Sequence, residues 1–589
     1  MTPQSTTVGD NPPTTERTLT VRFGGGTERQ GPLAMGQANM VRCVLRDDPV
    51  QINIHDVWPV PAGVTVDSAI DALRVLVERH ESLRTTFPGA DSLTDLGRQA
   101  VAAEGEITLV VRDHDTLPPQ PSAYAETVAR AARVDRFHLD RDFPLRITLL
   151  TARGVPAYVC LVANHAAADG GALTILREEW LTLVSGGDLP VVKALAPLDL
   201  ALDELSPAGR RKSVASLRYW EQVIRTGPQA MFAEPRVRPG DHPQAQLTLR
   251  SRRAGKALAA AASRTGSPAP TVLLAAWCTL VGHRAGQSTC VIAAPTSNRH
   301  RPALARAVTA LSQDALLRLD VSGPTFDTVL RRAWGAALDA YRHSRFDSVR
   351  LWDMIERTTR DRGSHFSRDV VFNDVSSVFG TRRDDPPTQA EEPDMELVWG
   401  PDQELPTRML TFVHAMEPAL RLALWADPHV FDRHEAEEFL MGLVLLLEAV
   451  AVDDVPLKSL TDVTGVPPVQ RDANWLHIDG CWVSPEAIAA ALRAVAGTAH
   501  VAVEPAGPQG VPGSKGEIIA FVASGGDPML TPERVHAALM DARPARPEVL
   551  APHWYVIVPT PPSTPGDTDA WRRLPVLTEG SGRNTADAT

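Results

Sequence analysis

Residues 161–173 read LVANHAAADGGAL: a hydrophobic run ends at His165, Asp169 follows four positions later, and Gly170 and Gly171 come next. Histidine is the side chain whose ordinary pKa falls between pH 5 and 8, so it can accept a proton from an amine or hydroxyl, or hold that group in line. A histidine with an aspartate four residues on, at a strand end, is more often a structural hydrogen-bonded pair than a catalytic one. No protein nucleophile accompanies them. The G-x-S-x-G turn of a hydrolase is absent, no phosphate loop is present, and GGGTERQG at 24–31 misses the G-x-G-x-x-G spacing of a dinucleotide site. The cysteines (Cys43, Cys160, Cys278, Cys290, Cys481) are scattered without C-x-x-C or zinc-site spacing, and read as reduced core thiols. No metal is expected.

Elements must hold these residues in place. AYVCLVANH reads as a strand, PLRITLL as its neighbour, and DGGALTILREEWLTLVSG has helical spacing that stops at a glycine. His165 therefore sits where a strand ends and Asp169–Gly171 lead into a helix. In an α/β architecture such junctions are where ligands meet side chains and free N–H groups. Upstream, TLTVRF alternates as an exposed-edge strand, and VDSAIDALRVLVERHESLRTTF begins a helix at Asp67 or Ser68. Downstream the alternation repeats. APTVLLAAWCTLVGHRAG is a buried helix, TCVIAAPT a strand, PTFDTVLRRAWGAALDAYRH a helix, LRLALWADP a strand and DRHEAEEFLMGLVLLLEAVA a helix. The Pro- and acid-rich stretch between Phe379 and Thr407 reads as a loop or crossover.

A chain of 589 residues is too long for one ordinary core. With 43% hydrophobic and 22% charged residues it is globular, and its formal net charge of −12 argues against nucleic acid or an anionic membrane surface as partner. The polar, Thr/Pro-rich start has no signal-peptide pattern. The most apolar run, Phe439 to Val452, is too short to span a bilayer and contains Glu448. A cytoplasmic protein handling small molecules or small protein partners is expected.

RHESLRTTF, Arg79 to Phe87, resembles the R-H-E-x-L-R-T-x-F signature of condensation domains from nonribosomal peptide synthetases at every fixed position. NHAAADGG is similar to that family's H-H-x-x-x-D-G motif, and RFHLDRDFPLRITLL, PTSNRHRPALARAVTALSQDALLRLDV and LRLALWADPHVFDRHEAEEFLMGLVLLLEAVA resemble its flanking segments in order. The resemblance spans roughly residues 18 to 457. It implies a mixed α/β (α+β) fold of two chloramphenicol-acetyltransferase-like lobes in a V-shaped pseudo-dimer with a central tunnel. It further implies that His165 faces the tunnel and takes the acceptor's proton or aligns the acceptor. Asp169 would be structural and paired with Arg299, while Gly170 N–H would stabilise the oxyanion. Asn164 stands where the motif has its first histidine, read as a buried hydrogen-bonding site that an amide satisfies as well. Gln37 is kept, but Gln313 and Thr309 stand where the family has Asn and Gly.

NWLHIDGCWVSPEAIAAALRAVAGTAHVAV resembles the small C-terminal subdomain of adenylation domains at Gly480, Glu486 and Ile488, and PTPPSTPGDTDAWRRLP resembles its end at Thr564, Pro565, Gly566 and Asp569. Asp567 occupies the place of the catalytic lysine, and no large ATP-binding part accompanies it, so this piece is a remnant kept as packing or a docking surface. The expected organisation is a disordered lead (1–17), condensation lobes (18–200 and 201–457), a linker (458–472), the degenerate subdomain (473–577) and a disordered tail (578–589).

The resulting expectation is a stand-alone condensation enzyme. It would join a carrier-bound acyl or aminoacyl thioester to an amine, or secondarily to a hydroxyl, with no cofactor beyond the 4'-phosphopantetheine arm of donor and acceptor carrier proteins. A free small-molecule acceptor and an adenylating enzyme are further candidate partners. The rivals are an acyl-CoA-dependent acyltransferase, a non-catalytic recruitment platform for carrier proteins or tailoring enzymes, and an epimerisation-type relative.

Overall fold

The computed structural model describes residues 14–235, 244–377, 393–403, 405–498, 500–506, 516–542 and 546–583. The chain divides into two compact units. The first takes residues 1–214 together with 297–313 and 345–349, and the second takes the rest. Arg299, expected in the lobe 201–457, thus belongs with His165 and Asp169, because its guanidinium is ion-paired there.

The first unit is built on a five-stranded sheet in the spatial order Thr14–Phe23, Gly105–His114, Leu145–Ala152, Val155–Ala163, Ile54–Pro59. The second and third of these strands run parallel and the other neighbours antiparallel. Alternating residues Leu109, Ile147, Leu149, Val159 and Leu161 point to one face. There they meet Leu73 and Leu76 of the helix Val66–Arg79, and Leu173 and Leu176 of the helix Gly170–Val184, in a single core. Trp58 and Trp180 close this layer with ring centroids 5.6 Å apart. The helix expected from Asp67 or Ser68 begins at Val66, because Thr65 caps it: Ser68 N donates to Thr65 Oγ1 at 3.1 Å and Thr65 N to Ser68 Oγ at 2.9 Å.

The second unit carries a seven-stranded sheet, ordered Gln313–Asp320, Thr289–Thr296, Val370–Asp374, Met409–Ala415, Leu420–Ala426, Gln244–Ser251, Met395–Gln403. The helix Ala269–Ala285 is apolar all round, and accordingly lies buried in this unit's core with the helix Arg433–Val452. Met395–Gln403 corrects the loop expected between Phe379 and Thr407. It is an edge strand, and Pro401 is tolerated there because the pairing slips between Trp399 and Asp402. Residues 378–392 and 404 of that stretch lie outside the described residues.

Two expectations of disorder are also corrected. Thr14–Phe23 is one continuous strand against Gly105–His114, so residues 14–17 are ordered, while 1–13 lie outside the described residues. Thr578–Gly580 pairs antiparallel with Tyr555–Ile557, and residues 584–589 lie outside the described residues. Residues 14–17 extend the strand already read in TLTVRF, and they and Thr578–Gly580 are too short and polar to show hydrophobic alternation.

The polar join after the long helix holds a short helix, Leu460–Thr464, with Leu460 and Val466 buried in the second unit's core. Beyond it, Leu476–Ile478 and Cys481–Val483 form a hairpin turned by Asp479 and Gly480, both at positive φ. A four-stranded sheet follows, and Ile488 is buried beneath it. Arg362 ties the hairpin to the rest of the unit, donating to Asp479 Oδ2 at 2.8 Å and to the carbonyls of Asp479 and Gly227 at 2.7 Å each. Gln229 Nε2 donates to the carbonyl of Pro547 at 2.8 Å. Asp567 caps the short helix Thr568–Arg572.

Candidate functional site

The strand Val155–Ala163 delivers its last rung at Asn164, whose N–H donates to the Pro144 carbonyl at 3.0 Å. The chain then turns sharply. Asn164 Oδ1 accepts from Ala166 N at 2.9 Å, and its carbonyl accepts from Ala167 N at 3.0 Å and Ala168 N at 3.3 Å. The amide side chain thus closes the turn from within, the local bonding for which Asn is suited. Ala166, Ala167 and Ala168 are wholly buried. His165 stands at the start of this turn.

Asp169 ends the turn and opens the next helix, its Oδ1 accepting from Ala172 N at 2.9 Å. Gly170 is the first helical residue, so its N–H belongs to the first-turn group that has no intrahelical acceptor. The carboxylate of Asp169, 1% exposed, meets Arg299 edge to edge, with Nη2–Oδ1 at 2.6 Å and Nη1–Oδ2 at 2.9 Å. Its Oδ2 also accepts from the N–H groups of Leu311 and Ser312, each at 2.9 Å. Burial raises the carboxyl's pKa, but Arg299 and these amides outweigh it and hold it below the ordinary value of 3.8. The Nη hydrogens of Arg299 also reach the carbonyls of Ser297, Ala307 and Thr309 at 3.1–3.3 Å, while its buried Nε has no hydrogen-bond partner.

The spacing-based expectation of a His165–Asp169 hydrogen-bonded pair is corrected: the carboxylate faces Arg299 and backbone amides, and no hydrogen bond joins it to His165. The His165 ring keeps some exposure, yet its Nδ1 is sealed from solvent and has no hydrogen-bond partner. Packing around the ring penalises its charged form and lowers its pKa from the ordinary 6.5, against a smaller upward pull from Asp169. The ring is therefore neutral at physiological pH, with a lone pair available for a proton.

Backbone groups escaped the sequence reading, since the N–H donors of Leu311 and Ser312 have no side-chain signature. Gly171, the glycine that follows the motif in this sequence, did leave a signal: a Cβ there would stand 2.8 Å from Arg299 Nη1 and displace the guanidinium from its present place. The off-pattern Gln313 and Thr309, and the retained Gln37, have structural tasks. Gln313 Nε2 donates to the Phe346 carbonyl at 3.0 Å, Thr309 supplies a carbonyl to Arg299, and Gln37 Oε1 accepts from Ala34 N at 2.9 Å. Among the described residues no group of three His, Cys, Asp or Glu is placed to hold a metal ion, and no helix is long and apolar enough to cross a membrane.

The condensation-domain family matches residues 47–471, well over half of the chain. A linear gramicidin synthase of Brevibacillus parabrevis is 27% identical over 346 residues, which cover 56% of this chain but 4% of that protein. The chain thus spans only a small part of this curated relative. Among solved structures, SgcC5 from Streptomyces globisporus superposes with a TM-score of 0.56 at 20% identity, covering 72% of this chain and all of the other. The X-domain in its complex with OxyB from teicoplanin biosynthesis superposes with a TM-score of 0.55 at 19% identity, covering 73% of this chain and 95% of that one. These likenesses establish a shared mixed α/β fold.

Two outcomes follow. Asp169→Asn places an amide against Arg299 and leaves a buried guanidinium unpaired, which is expected to cost about 3–5 kcal/mol in denaturant unfolding at pH 7. Because the folded pKa is depressed, the wild-type advantage is fully present above 3.8 and is lost as pH falls through the lower folded value, so the two proteins converge in acid. Asn164→Ala strands the Ala166 N–H and should cost about 1–3 kcal/mol in the same measurement. Asn164→His, with Nδ1 accepting in place of Oδ1, should cost less.

Proposed function

This chain belongs to the condensation-domain family, and on that premise we propose that it joins a carrier-bound acyl or aminoacyl thioester to an amine, forming an amide. The observation that carries the reading is a neutral, partly exposed His165 on a turn fixed at both ends, by Asn164 and by the Asp169–Arg299 pair.

In the step proposed, the acceptor nitrogen attacks the thioester carbonyl carbon and the carbonyl π electrons move to oxygen. His165 takes the proton that the nitrogen sheds, or holds the amine in line while it is shed. The N–H of Gly170, at a helix start, is suited to the oxyanion. Collapse of the tetrahedral adduct breaks the C–S bond and expels the thiolate, which receives a proton. Asp169 has no part in proton transfer, since Arg299 and backbone amides occupy its oxygens. It keeps the turn and the helix start in register, so that proximity supplies much of the rate. The 4'-phosphopantetheine arms of donor and acceptor carrier proteins would present the substrates, and the chain would need no cofactor of its own.

One observation favours a second reading. Asn164 replaces a motif histidine, and the X-domain that shares this fold is held in a complex with OxyB. A platform that recruits carriers or tailoring enzymes without catalysis would fit both.

Reconstitution with donor and acceptor carriers loaded with candidate substrates, read by mass spectrometry, separates the readings. Product from the wild type and a loss of about 10²-fold or more in His165→Ala is expected, the upper range for a general base. Unchanged product in His165→Ala, or carrier binding without product in the wild type, would overturn the catalytic reading.

A further inference from the structure

Ser82 occupies a variable place in the Arg79–Phe87 run, between the fixed Glu81 and Leu83. It is wholly buried, and its hydroxyl donates to the Ala167 carbonyl at 2.5 Å. Ala167 is the middle alanine between His165 and Asp169 and is itself wholly buried. Asn164 shapes the turn from within, and the two ends are tied outside it, Asn164 N–H to the Pro144 carbonyl and Asp169 to Arg299. Ser82 grips the middle of the turn from a distant part of the chain.

Its own position is secured by charge. Glu81–Arg84 forms a short 3-10 helix immediately after the helix Val66–Arg79. At that junction His80 Nε2 lies 2.8 Å and Arg79 Nε 2.9 Å from Glu179 Oε2. Glu179 is buried on the helix that Asp169 caps. Its charge survives burial because His80 and Arg79 hold its pKa below the ordinary value. The bonds close a circuit: from the turn through Ser82 to the His80 junction, across Glu179 into the helix, and back along the helix to Asp169. Roughly ten residues of helix separate Asp169 from Glu179, about 15 Å of rise. This circuit therefore holds the turn bearing His165 at two points, one on each side of the helix start.

We infer that Ser82 is a positioning residue for His165: its hydroxyl fixes the Ala167 carbonyl, and through it the direction in which the turn presents the imidazole. The inference rests on the reading of His165 as the group that handles the acceptor's proton. Ser82 acts only through the backbone. A hydroxyl suits the task because it removes the cost of a buried unpaired carbonyl while occupying little more space than a methyl group.

The test uses the full chain and the carrier-based assay with Ser82→Ala and Ser82→Cys, the thiol being a weaker donor of similar size. Ser82→Ala should lower kcat roughly ten- to a hundred-fold, the scale of a small misplacement of a reacting group, while the acceptor KM stays close to wild type. Amide hydrogen exchange should quicken in the peptide covering 161–173 and nowhere else, and Ser82→Cys should recover part of both effects. Wild-type kcat and unchanged exchange in Ser82→Ala would overturn the inference. So would a loss of activity that merely follows faster exchange across the whole chain. His165→Ala turning over as fast as wild type is a different failure: it overturns the catalytic reading beneath.

Discussion

The ion pair between Asp169 and Arg299 is the interaction on which the rest of the site depends. A carboxylate 1% exposed is tolerable only if its charge is matched and its oxygens are satisfied. Here both conditions hold, with two guanidinium bonds and three backbone N–H groups on one carboxylate. The cost of losing either partner makes the arrangement close to all-or-none. It gathers the strand end at 163, the helix start at 170 and the segment 297–313 to a common point, and His165 sits between the first two. Gly171 is the steric condition for the pair, because any side chain there would occupy the space of the guanidinium.

From this constraint the chemistry follows in order. A turn of three buried alanines leaves His165 little freedom, and packing around the ring favours its neutral form. Asn164 closes the turn with its amide oxygen, a task that needs an acceptor and not an imidazole. The off-pattern residue is thus compatible with an intact turn, and the histidine that matters for proton handling is the second of the motif. The separation of roles shows in the bonding: the Asp169 carboxylate is satisfied by Arg299 and backbone amides, whereas His165 Nδ1 has no partner.

Much of this was legible in the sequence. The strand–turn–helix around His165 follows from periodicity and the glycine pair, and the resemblance to condensation domains named Arg299 as the partner of Asp169. Spacing alone could not have done so, since 130 positions separate the two residues. The missed features share a cause. Met395–Gln403 holds a proline and few alternating apolar residues, and Thr578–Gly580 is three residues long; both are edge strands defined by a neighbour's hydrogen bonds. The amides of Leu311 and Ser312 are invisible for the same reason, because every residue but proline has one. The grip of Ser82 on Ala167 joins two recognised motifs, yet it uses a position at which the first motif prescribes nothing.

The central claim is that the fold delivers a neutral, partly shielded imidazole at residue 165. The most direct measurement is an NMR titration of that ring in the wild-type chain, with histidines labelled and the resonance assigned by its loss in His165→Gln. The expected midpoint lies below the ordinary 6.5, so that the ring is uncharged at physiological pH. A midpoint at or above 6.5 would contradict the claim, since the ring would then be as well solvated as a free histidine and the turn would not enclose it as described.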